Sequence, residues 1–193
     1  MLRVLLWPLF FILGPLKVVG AYRVPRKGGV LILATHPSDF DPVLIQYGSP
    51  RPLFFMAKRD LFSMGWLGRL IPQLGAFPVD PDAPDRASLR QAVWYLKQGY
   101  PVVVFPEGRV RIGGEPLPLK PGAALIARMA DVPILCASFR NSERVIPYGK
   151  VIPRPAFRTV QCIWGEPKKF DPAATPEEVM RWVEVQFREL SLD

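Results

Sequence analysis

Short, fully apolar runs alternate with longer amphipathic stretches along this chain. Residues 30–34 (Val-Leu-Ile-Leu-Ala) and 101–105 (Pro-Val-Val-Val-Phe) are continuous apolar runs bounded by glycine or by polar residues, a form typical of buried strands. Further strands are predicted from similar runs at residues 53–57, 75–79, 132–138 and 157–164. Pro78 places the strand at residues 75–79 at a sheet edge or a bulge, since proline cannot donate to a ladder.

The stretches between these runs show helical spacing. Leu89, Ala92, Val93 and Leu96 recur at i, i+3, i+4 and i+7, and Gly99 ends the pattern. Further helices are predicted at residues 42–47, 61–70 and 121–130, as well as after Thr175. The sequence Thr-Pro-Glu-Glu at residues 175–178 is a capping box with proline at the first helical position, which predicts the start of the last helix.

Strands that alternate with helices predict an α/β fold: a single domain with a largely parallel or mixed sheet flanked by helices. A chain of 193 residues is long enough for one such domain with a sizeable core. Because no internal repeat or low-complexity linker divides the sequence, we expect this domain to occupy residues 28–193.

The first 27 residues differ in character from the rest. Residues 1–16 are almost wholly apolar with Arg3 as the only charge, whereas residues 1–30 carry five basic residues and no acidic ones. The apolar run is shorter than the roughly 20 residues of a spanning helix. An apolar segment beside a basic cluster is typical of an interfacial anchor on anionic lipid. We therefore expect residues 1–27 to form an apolar, membrane-associating helical segment; the alternative is a helix buried against the domain.

Composition narrows the choice of partners. The net charge of +8 favours acidic partners, and a mean hydropathy of +0.14 favours contact with lipid. The basic residues lie beside apolar runs rather than along a helical stripe, which argues against nucleic acid. Cys136 and Cys162 lie in apolar runs without the spacing of a metal site or a disulfide framework, as expected of buried thiols in a reducing compartment.

The sole histidine, His36, directly follows one of the buried strands, and two carboxylates, Asp39 and Asp41, lie within five positions of it. Histidine transfers protons near neutral pH, and a carboxylate can hold its ring and stabilise its charged form. Residues five apart on a helix differ by about 140°, so His36 and Asp41 meet only across a turn, whereas Asp39 would be the better helical partner. The alternatives are an ordinary loop histidine and an Asp41 that caps the next helix.

A second polar loop follows the strand at residues 101–105. It contains Glu107, Gly108, Arg109 and Arg111, and arginine side chains match phosphate oxygens in a bidentate geometry. Ligands of α/β sheets bind at the carboxyl ends of strands, so both loops are expected at one site. A base beside a phosphate clamp indicates chemistry on a phosphorylated substrate; the alternative is a solvated basic loop.

Together, His36-x4-Asp41 and Phe105-Pro106-Glu107-Gly108 resemble the glycerophospholipid acyltransferase family, the 1-acylglycerol-3-phosphate acyltransferases and their relatives. The resemblance runs from about residue 28 to residue 140. The segments at residues 58–61 (Lys-Arg-Asp-Leu) and 120–123 (Lys-Pro-Gly-Ala) are similar to the family's Lys-x-Glu-Leu and Lys-x-Gly-Ala segments. The order Arg-Val-Arg at residues 109–111 is more similar to the branch that acts on lysophosphatidylethanolamine.

The resemblance implies roles for individual residues. His36 would be the general base and Asp41 its partner, and the substrate would be bound by Lys58, Glu107, Gly108, Arg109, Arg111 and Lys120. The implied reaction moves a fatty acyl group from an acyl thioester of coenzyme A or acyl carrier protein to the free hydroxyl of a lysophospholipid. The first choice of acceptor is 1-acylglycerol 3-phosphate, which would give phosphatidate.

The resemblance implies no metal and no cofactor besides the thioester co-substrate. It also implies a location at the cytoplasmic face of the inner membrane. Two alternatives stay open at this point. One is the acylation of another lysophospholipid, such as lysophosphatidylethanolamine, and the other is a non-catalytic membrane-binding module.

Overall fold

A computed structural model describes residues 14–80, 86–112, 115–150 and 152–192. These residues form seven strands, which are β1 (Leu16–Val19), β2 (Val30–Ala34), β3 (Phe54–Lys58), β4 (Ala76–Val79), β5 (Pro101–Val104), β6 (Ile134–Arg140) and β7 (Val160–Trp164). The α-helices are α1 (Asp41–Gly48), α2 (Gly65–Leu70), α3 (Arg86–Lys97), α4 (Gly122–Ala130), α5 (Ser142–Val145) and α6 (Pro176–Ser191). Short 3-10 helices lie at Ala21–Arg23, Arg59–Ser63 and Ile71–Leu74.

The strands form one mixed sheet in the order β1-β7-β6-β2-β5-β3-β4. Strand β2 lies at the centre and pairs in parallel with β5 on one side and β6 on the other. The β6–β7 pair is antiparallel, so β7 and its parallel neighbour β1 run against the other five strands. The predicted single α/β domain with a mixed, helix-flanked sheet is confirmed. Strand β4 is an edge strand, as Pro78 predicted.

The sheet separates two apolar clusters. Alternate residues of β2 belong to opposite clusters, with Ile32 in one and Leu31 and Leu33 in the other, and all three are fully buried. Helix α1 packs on the first cluster through Leu44 and Ile45, whereas α3, α4 and α6 cover the second. Full burial of such side chains contributes about 1.5–3 kcal/mol each, so the centre of the sheet is a rigid base for the loops that leave it.

The sheet extends into the segment that the sequence assigned to the membrane anchor. Residues 16–19 form β1, which pairs with β7 from Leu16 opposite Val160 onwards. Arg23 then donates to the carbonyl oxygen of Trp164 at 2.8 Å and forms an ion pair with Glu166. The folded domain therefore begins before residue 28, because these residues complete one edge of the sheet.

Of the helical segment predicted at residues 1–27, residues 1–13 lie outside the described residues. In the described part, residues 16–19 form a strand rather than a helix, because they pair with β7. Across the ranges that the structure describes, we find no helix that is both long and apolar enough to cross a bilayer.

Two helix predictions need correction. The single helix predicted at residues 61–70 is divided into a 3-10 helix and α2, because Gly65 takes a left-handed φ of 45° and Met64 before it is not helical. Asp41 is not the cap of α1. Phe40 occupies the N-cap position, and Asp41 is the first helical residue, whose carboxylate accepts from the Ser38 amide before the helix. The capping box of Thr175 and Glu178 at the start of α6 is confirmed.

Candidate active site

The two polar loops meet at the carboxyl edge of the sheet. Strands β2 and β5 are adjacent and parallel, with Leu33 opposite Val104, so the chain leaves both at the same edge. The backbone amide of Arg111 donates to the carbonyl oxygen of His36 at 2.9 Å. The His36 ring also stacks on Phe105, with centroids 4.0 Å apart and planes inclined by 19°. The structure therefore joins the two loops directly.

His36 and Asp41 form a hydrogen-bonded pair. Nδ1 of His36 lies 3.0 Å from Oδ2 of Asp41, the side chain of Asp41 is fully buried, and that of His36 is 14% exposed. Because an ionised carboxylate only accepts hydrogen bonds, Nδ1 carries the proton in this contact and Nε2 of the neutral ring keeps its lone pair. Such a ring can accept a proton at Nε2.

A tight turn makes this pairing possible. The amide of Ser38 donates to Oδ2 of Asp41 at 2.8 Å, and the amide of Asp41 donates to the Ser38 carbonyl oxygen at 3.1 Å. The hydroxyl of Ser38 donates to the carbonyl oxygen of Ile146 at 2.9 Å and thereby fastens the turn to the chain after α5. His36 contacts Asp41 across this turn, whereas Asp39 is exposed, which decides between the two carboxylates.

Burial and hydrogen bonding shift the pKa of Asp41 in opposite directions. Burial raises the pKa of this carboxyl group above its ordinary value of 3.8, whereas hydrogen bonds from His36, Ser142 and the Ser38 amide lower it. Ser142 is fully buried beside Asp41 at the start of α5. Among the described residues, Oδ1 of Asp41 and the Ser142 hydroxyl have no other hydrogen-bond partner.

Glu107 and Arg111 form a second buried pair. Nε of Arg111 donates to both carboxylate oxygens of Glu107 at 3.0 and 2.8 Å, and Nη2 donates to Oε1 at 2.7 Å. The Glu107 side chain is fully buried and that of Arg111 is 13% exposed. Glu107 is therefore placed to orient Arg111 rather than to meet a substrate itself. Arg109, between them in the sequence, is exposed at the surface of the same loop.

Gly108 brings Lys120 to this loop. Gly108 has a left-handed φ of 72°, and a Cβ atom there would lie 2.8 Å from Cε and 2.9 Å from Nζ of Lys120. The Lys120 amide donates to the Pro106 carbonyl oxygen at 2.9 Å. Lys58 lies at the end of β3, where it forms an exposed ion pair with Asp60 at 2.8 Å.

The sequence predicted no role in the site for Ser38 or Ser142, and none for Phe105 beyond its place in the Phe-Pro-Glu-Gly motif. The sequence predicted Phe105 as the last residue of a buried strand, and the structure shows that its ring stacks on the imidazole of His36. Ser142 is far from Asp41 in the sequence and no motif marks it. The position of Ser38 within the turn after His36 and the place of Phe105 in its motif were the signals available.

Neither cysteine takes part in the hydrogen bonds of the site, although the charge of Asp41 adds to the effect of burial in raising the pKa of Cys162. Cys136 and Cys162 are free and buried in β6 and β7, and burial raises the pKa of both thiols. In the described ranges of the chain, no group of three or more His, Cys, Asp or Glu side chains is arranged to hold a metal ion.

Known proteins resemble this chain in sequence and in fold. The family model described as Acyltransferase matches residues 15–140. A 1-acyl-sn-glycerol-3-phosphate acyltransferase of Bacillus subtilis is 34% identical over 129 residues, which cover 66% of this chain and 64% of that protein. A protein of the same description from Streptococcus pneumoniae is 32% identical over 120 residues, covering 61% of this chain and 44% of the relative.

The crystal structure of the 1-acyl-sn-glycerophosphate (LPA) acyltransferase PlsC from Thermotoga maritima shows the same fold. Its superposition on this chain has a TM-score of 0.79 at 24% sequence identity and covers 100% of this chain and 79% of the PlsC chain. The chain thus matches between about half and two thirds of the length of the two bacterial relatives. Because the family model covers well over half of its residues, the chain belongs to the acyltransferase family.

Proposed function

We propose that this protein transfers a fatty acyl group from an acyl thioester to the free hydroxyl of a lysophospholipid, with 1-acylglycerol 3-phosphate as the acceptor and phosphatidate as the product. The observation that carries this proposal is the 2.9 Å hydrogen bond from the Arg111 amide to the His36 carbonyl oxygen. It holds a base and a cationic loop side by side. The names of the bacterial relatives support the same acceptor.

In the proposed reaction, Nε2 of His36 takes the proton of the acceptor hydroxyl. The oxygen then attacks the thioester carbonyl, the carbon–sulfur bond breaks, and the proton passes from the imidazolium to the leaving thiolate. Asp41 holds Nδ1 and stabilises the imidazolium between these steps. A positioned general base of this kind contributes about 10²–10⁴-fold to the rate.

The cationic loop would bind the acceptor phosphate. Glu107 accepts hydrogen bonds from Nε and Nη2 of Arg111 and so fixes the guanidinium. Arg109 lies on the same loop, and the Lys120 side chain lies beside Gly108 of that loop. A guanidinium that is already oriented loses little freedom when it binds a phosphate. Glu107 and Gly108 thus act through the residues that they position.

A donor for the oxyanion of the tetrahedral intermediate has to come from elsewhere in the site. The backbone amide of Gly108 already donates to the Phe105 carbonyl oxygen at 3.0 Å, and that of Arg111 donates to His36. Both amides are therefore already engaged within the fold, so neither can bind the oxyanion without losing its present hydrogen bond.

We further propose coenzyme A or acyl carrier protein as the carrier of the thioester, and an anionic membrane surface at the cytoplasmic face as the place of reaction. The net charge of +8 favours both an acidic carrier and anionic lipid. The apolar and basic residues 1–27 support the membrane contact. No cofactor besides the thioester forms part of the proposal.

The test is purified protein incubated with a set of lysophospholipids and with both thioester types, with products identified by mass. We expect phosphatidate from lysophosphatidate. If lysophosphatidylethanolamine is the only acceptor that yields product, then it is the acceptor in place of lysophosphatidate. The Arg-Val-Arg order at residues 109–111 favours that alternative. Vesicle binding without any product would instead support a binding module.

A further inference from the structure

Exposed apolar side chains are concentrated in the segment that connects β3 to β4. Met64, Trp66, Leu70 and Leu74 are 53%, 76%, 38% and 37% exposed. Trp66 and Leu70, four residues apart, lie on the same face of α2, and Leu74 follows in the next 3-10 helix. Large apolar side chains grouped in this way mark a surface that contacts another body.

Positive charge accompanies these apolar residues. Arg69 lies between Trp66 and Leu70 in the sequence and is exposed, as are Lys58 and Arg59 at the start of the segment. The acidic residue among them, Asp60, forms an ion pair with Lys58. We call the surface formed by Lys58, Arg59, Met64, Trp66, Arg69, Leu70 and Leu74 the α2 surface. Tryptophan and leucine beside arginine and lysine suit an anionic lipid interface, where rings and aliphatic chains enter the headgroup layer and cations bind phosphates.

The position of the α2 surface relative to the site supports the same partner. Strands β3 and β5 run parallel with Phe55 opposite Val103, so Lys58 leaves the sheet at the edge where the loop of Glu107 and Arg111 leaves it. The segment then crosses back, because β4 runs parallel to β3 and Leu74 lies level with the start of β3. A membrane that contacts the Lys58 and Arg59 end of the α2 surface would lie beside the edge that holds His36. A lysophospholipid could then present its headgroup to the loop while its acyl chain stays in the leaflet.

We propose that the α2 surface docks on an anionic membrane leaflet and forms a second contact in addition to residues 1–27. The choice of a lipid partner rests on the proposed function, because a lysophospholipid acceptor resides in such a leaflet. Arg69 and its basic neighbours make a lipid surface of negative charge the partner that complements the apolar residues, rather than a second copy of this +8 chain.

The first test reads the position of one side chain. The full chain is mixed with vesicles of phosphatidylglycerol and phosphatidylcholine that carry brominated acyl chains, which quench tryptophan fluorescence on contact. Trp66→Phe is compared with Trp94→Phe, since Trp94 is similarly exposed at 56% but lies on α3. We expect the quenched part of the signal to fall in Trp66→Phe and to persist in Trp94→Phe. Equal quenching in both variants would overturn the proposal.

The second test separates docking from chemistry. Trp66→Glu should raise KM for lysophosphatidate embedded in anionic vesicles by about fivefold or more, while turnover of a short-chain, monomeric lysophosphatidate stays at the wild-type level. Trp94→Glu should change neither. An equal loss on both substrates would show that Trp66 serves the fold or the site, and a changed oligomeric state with unchanged vesicle binding would show a contact between copies. Either result would overturn the proposal.

The two proposals fail in different ways. If the wild-type protein acylates no lysophospholipid, the proposed function fails, yet the bromolipid quenching of Trp66 still reports whether the α2 surface meets the membrane. If acylation proceeds but Trp66 is not quenched, the docking surface fails and the function stands.

Discussion

Nδ1 of His36 and Oδ2 of Asp41 lie 3.0 Å apart across a turn of the chain, with the carboxylate fully buried beneath the ring. The stacked ring of Phe105 holds the imidazole from one side, and the Ser38 amide holds the carboxylate. This geometry leaves Nε2 as the ring nitrogen that can take a proton from a substrate.

Asp41→Asn should reduce kcat by about 10²-fold or more, because an amide cannot stabilise the imidazolium as a carboxylate does. Asp39→Asn, the matched control, should stay within about twofold of wild type, since Asp39 is exposed and Asp41 fills the partner position. Initial rates of phosphatidate formation measure both. A loss confined to Asp39→Asn would reverse the choice of partner.

The same substitution separates activity from stability. The pKa of Asp41 is raised in the folded protein, so its stabilising contribution is greatest below the ordinary value of 3.8 and is lost as the pH rises through the folded-state pKa. Relative to wild type, Asp41→Asn should therefore gain in melting temperature as the pH rises above about 3.8. Thermal unfolding of both proteins across this range is the measurement, and a growing deficit of the variant would contradict it.

Ser142→Ala should shift the acid limb of the pH–rate profile to higher pH. The Ser142 hydroxyl lowers the pKa of Asp41, so without it the carboxylate takes up a proton at higher pH and ceases to support His36. Ser142→Thr keeps a hydroxyl and should restore the wild-type profile. Ser49→Ala, which removes another buried hydroxyl that bonds to the Arg51 carbonyl oxygen, should leave the profile unchanged. An unshifted profile in Ser142→Ala would exclude this role.

Substitution of Glu107 should lower the stability of the fold, whereas substitution of Arg109 should weaken only the binding of substrate. Glu107→Gln breaks a buried ion pair and should destabilise the fold by about 3 kcal/mol or more, with loss of activity, because Arg111 loses its charged partner.

Arg109→Ala should leave the melting temperature unchanged and raise KM for lysophosphatidate about fivefold or more, since Arg109 is exposed. Thermal unfolding and steady-state kinetics distinguish the two. A KM unchanged in Arg109→Ala would remove it from phosphate binding.

Gly108→Ala should impair the site more than its backbone strain alone would. The left-handed conformation costs an alanine about 1–2 kcal/mol, and the new methyl group would displace Lys120. Gly28→Ala has a similar φ of 78° with no atom within 4 Å and supplies the control for strain. We expect comparable losses of melting temperature but a loss of kcat/KM of about tenfold or more only in Gly108→Ala. Equal kinetics in the two variants would contradict the role of Gly108.

Sequence patterns predicted most of the fold that carries the site. The apolar runs gave β2 and β5 nearly to the residue, and their parallel pairing brings the loops of His36 and Arg111 together because parallel strands end at one edge. The Thr175 capping box marked α6, since capping depends on residues close in the sequence.

Long-range pairing was beyond these patterns. Strand β1 contains Lys17 and is four residues long, so only its pairing with β7, far along the chain, defines it as a strand. The contact of Ser142 with Asp41 and the Ser38–Ile146 hydrogen bond join segments separated by more than 100 residues. The turn at residues 36–41 also decided for Asp41 over Asp39, which would have been the better partner on a helix.

The most direct test of the account is the initial rate of phosphatidate formation by purified His36→Ala, with lysophosphatidate and a labelled acyl thioester. Circular dichroism and thermal unfolding would establish that the variant is folded. We predict a loss of at least about 10²-fold in kcat, as expected when a general base is removed. A folded variant that keeps more than about a tenth of the wild-type rate would contradict the assignment of His36 as the base.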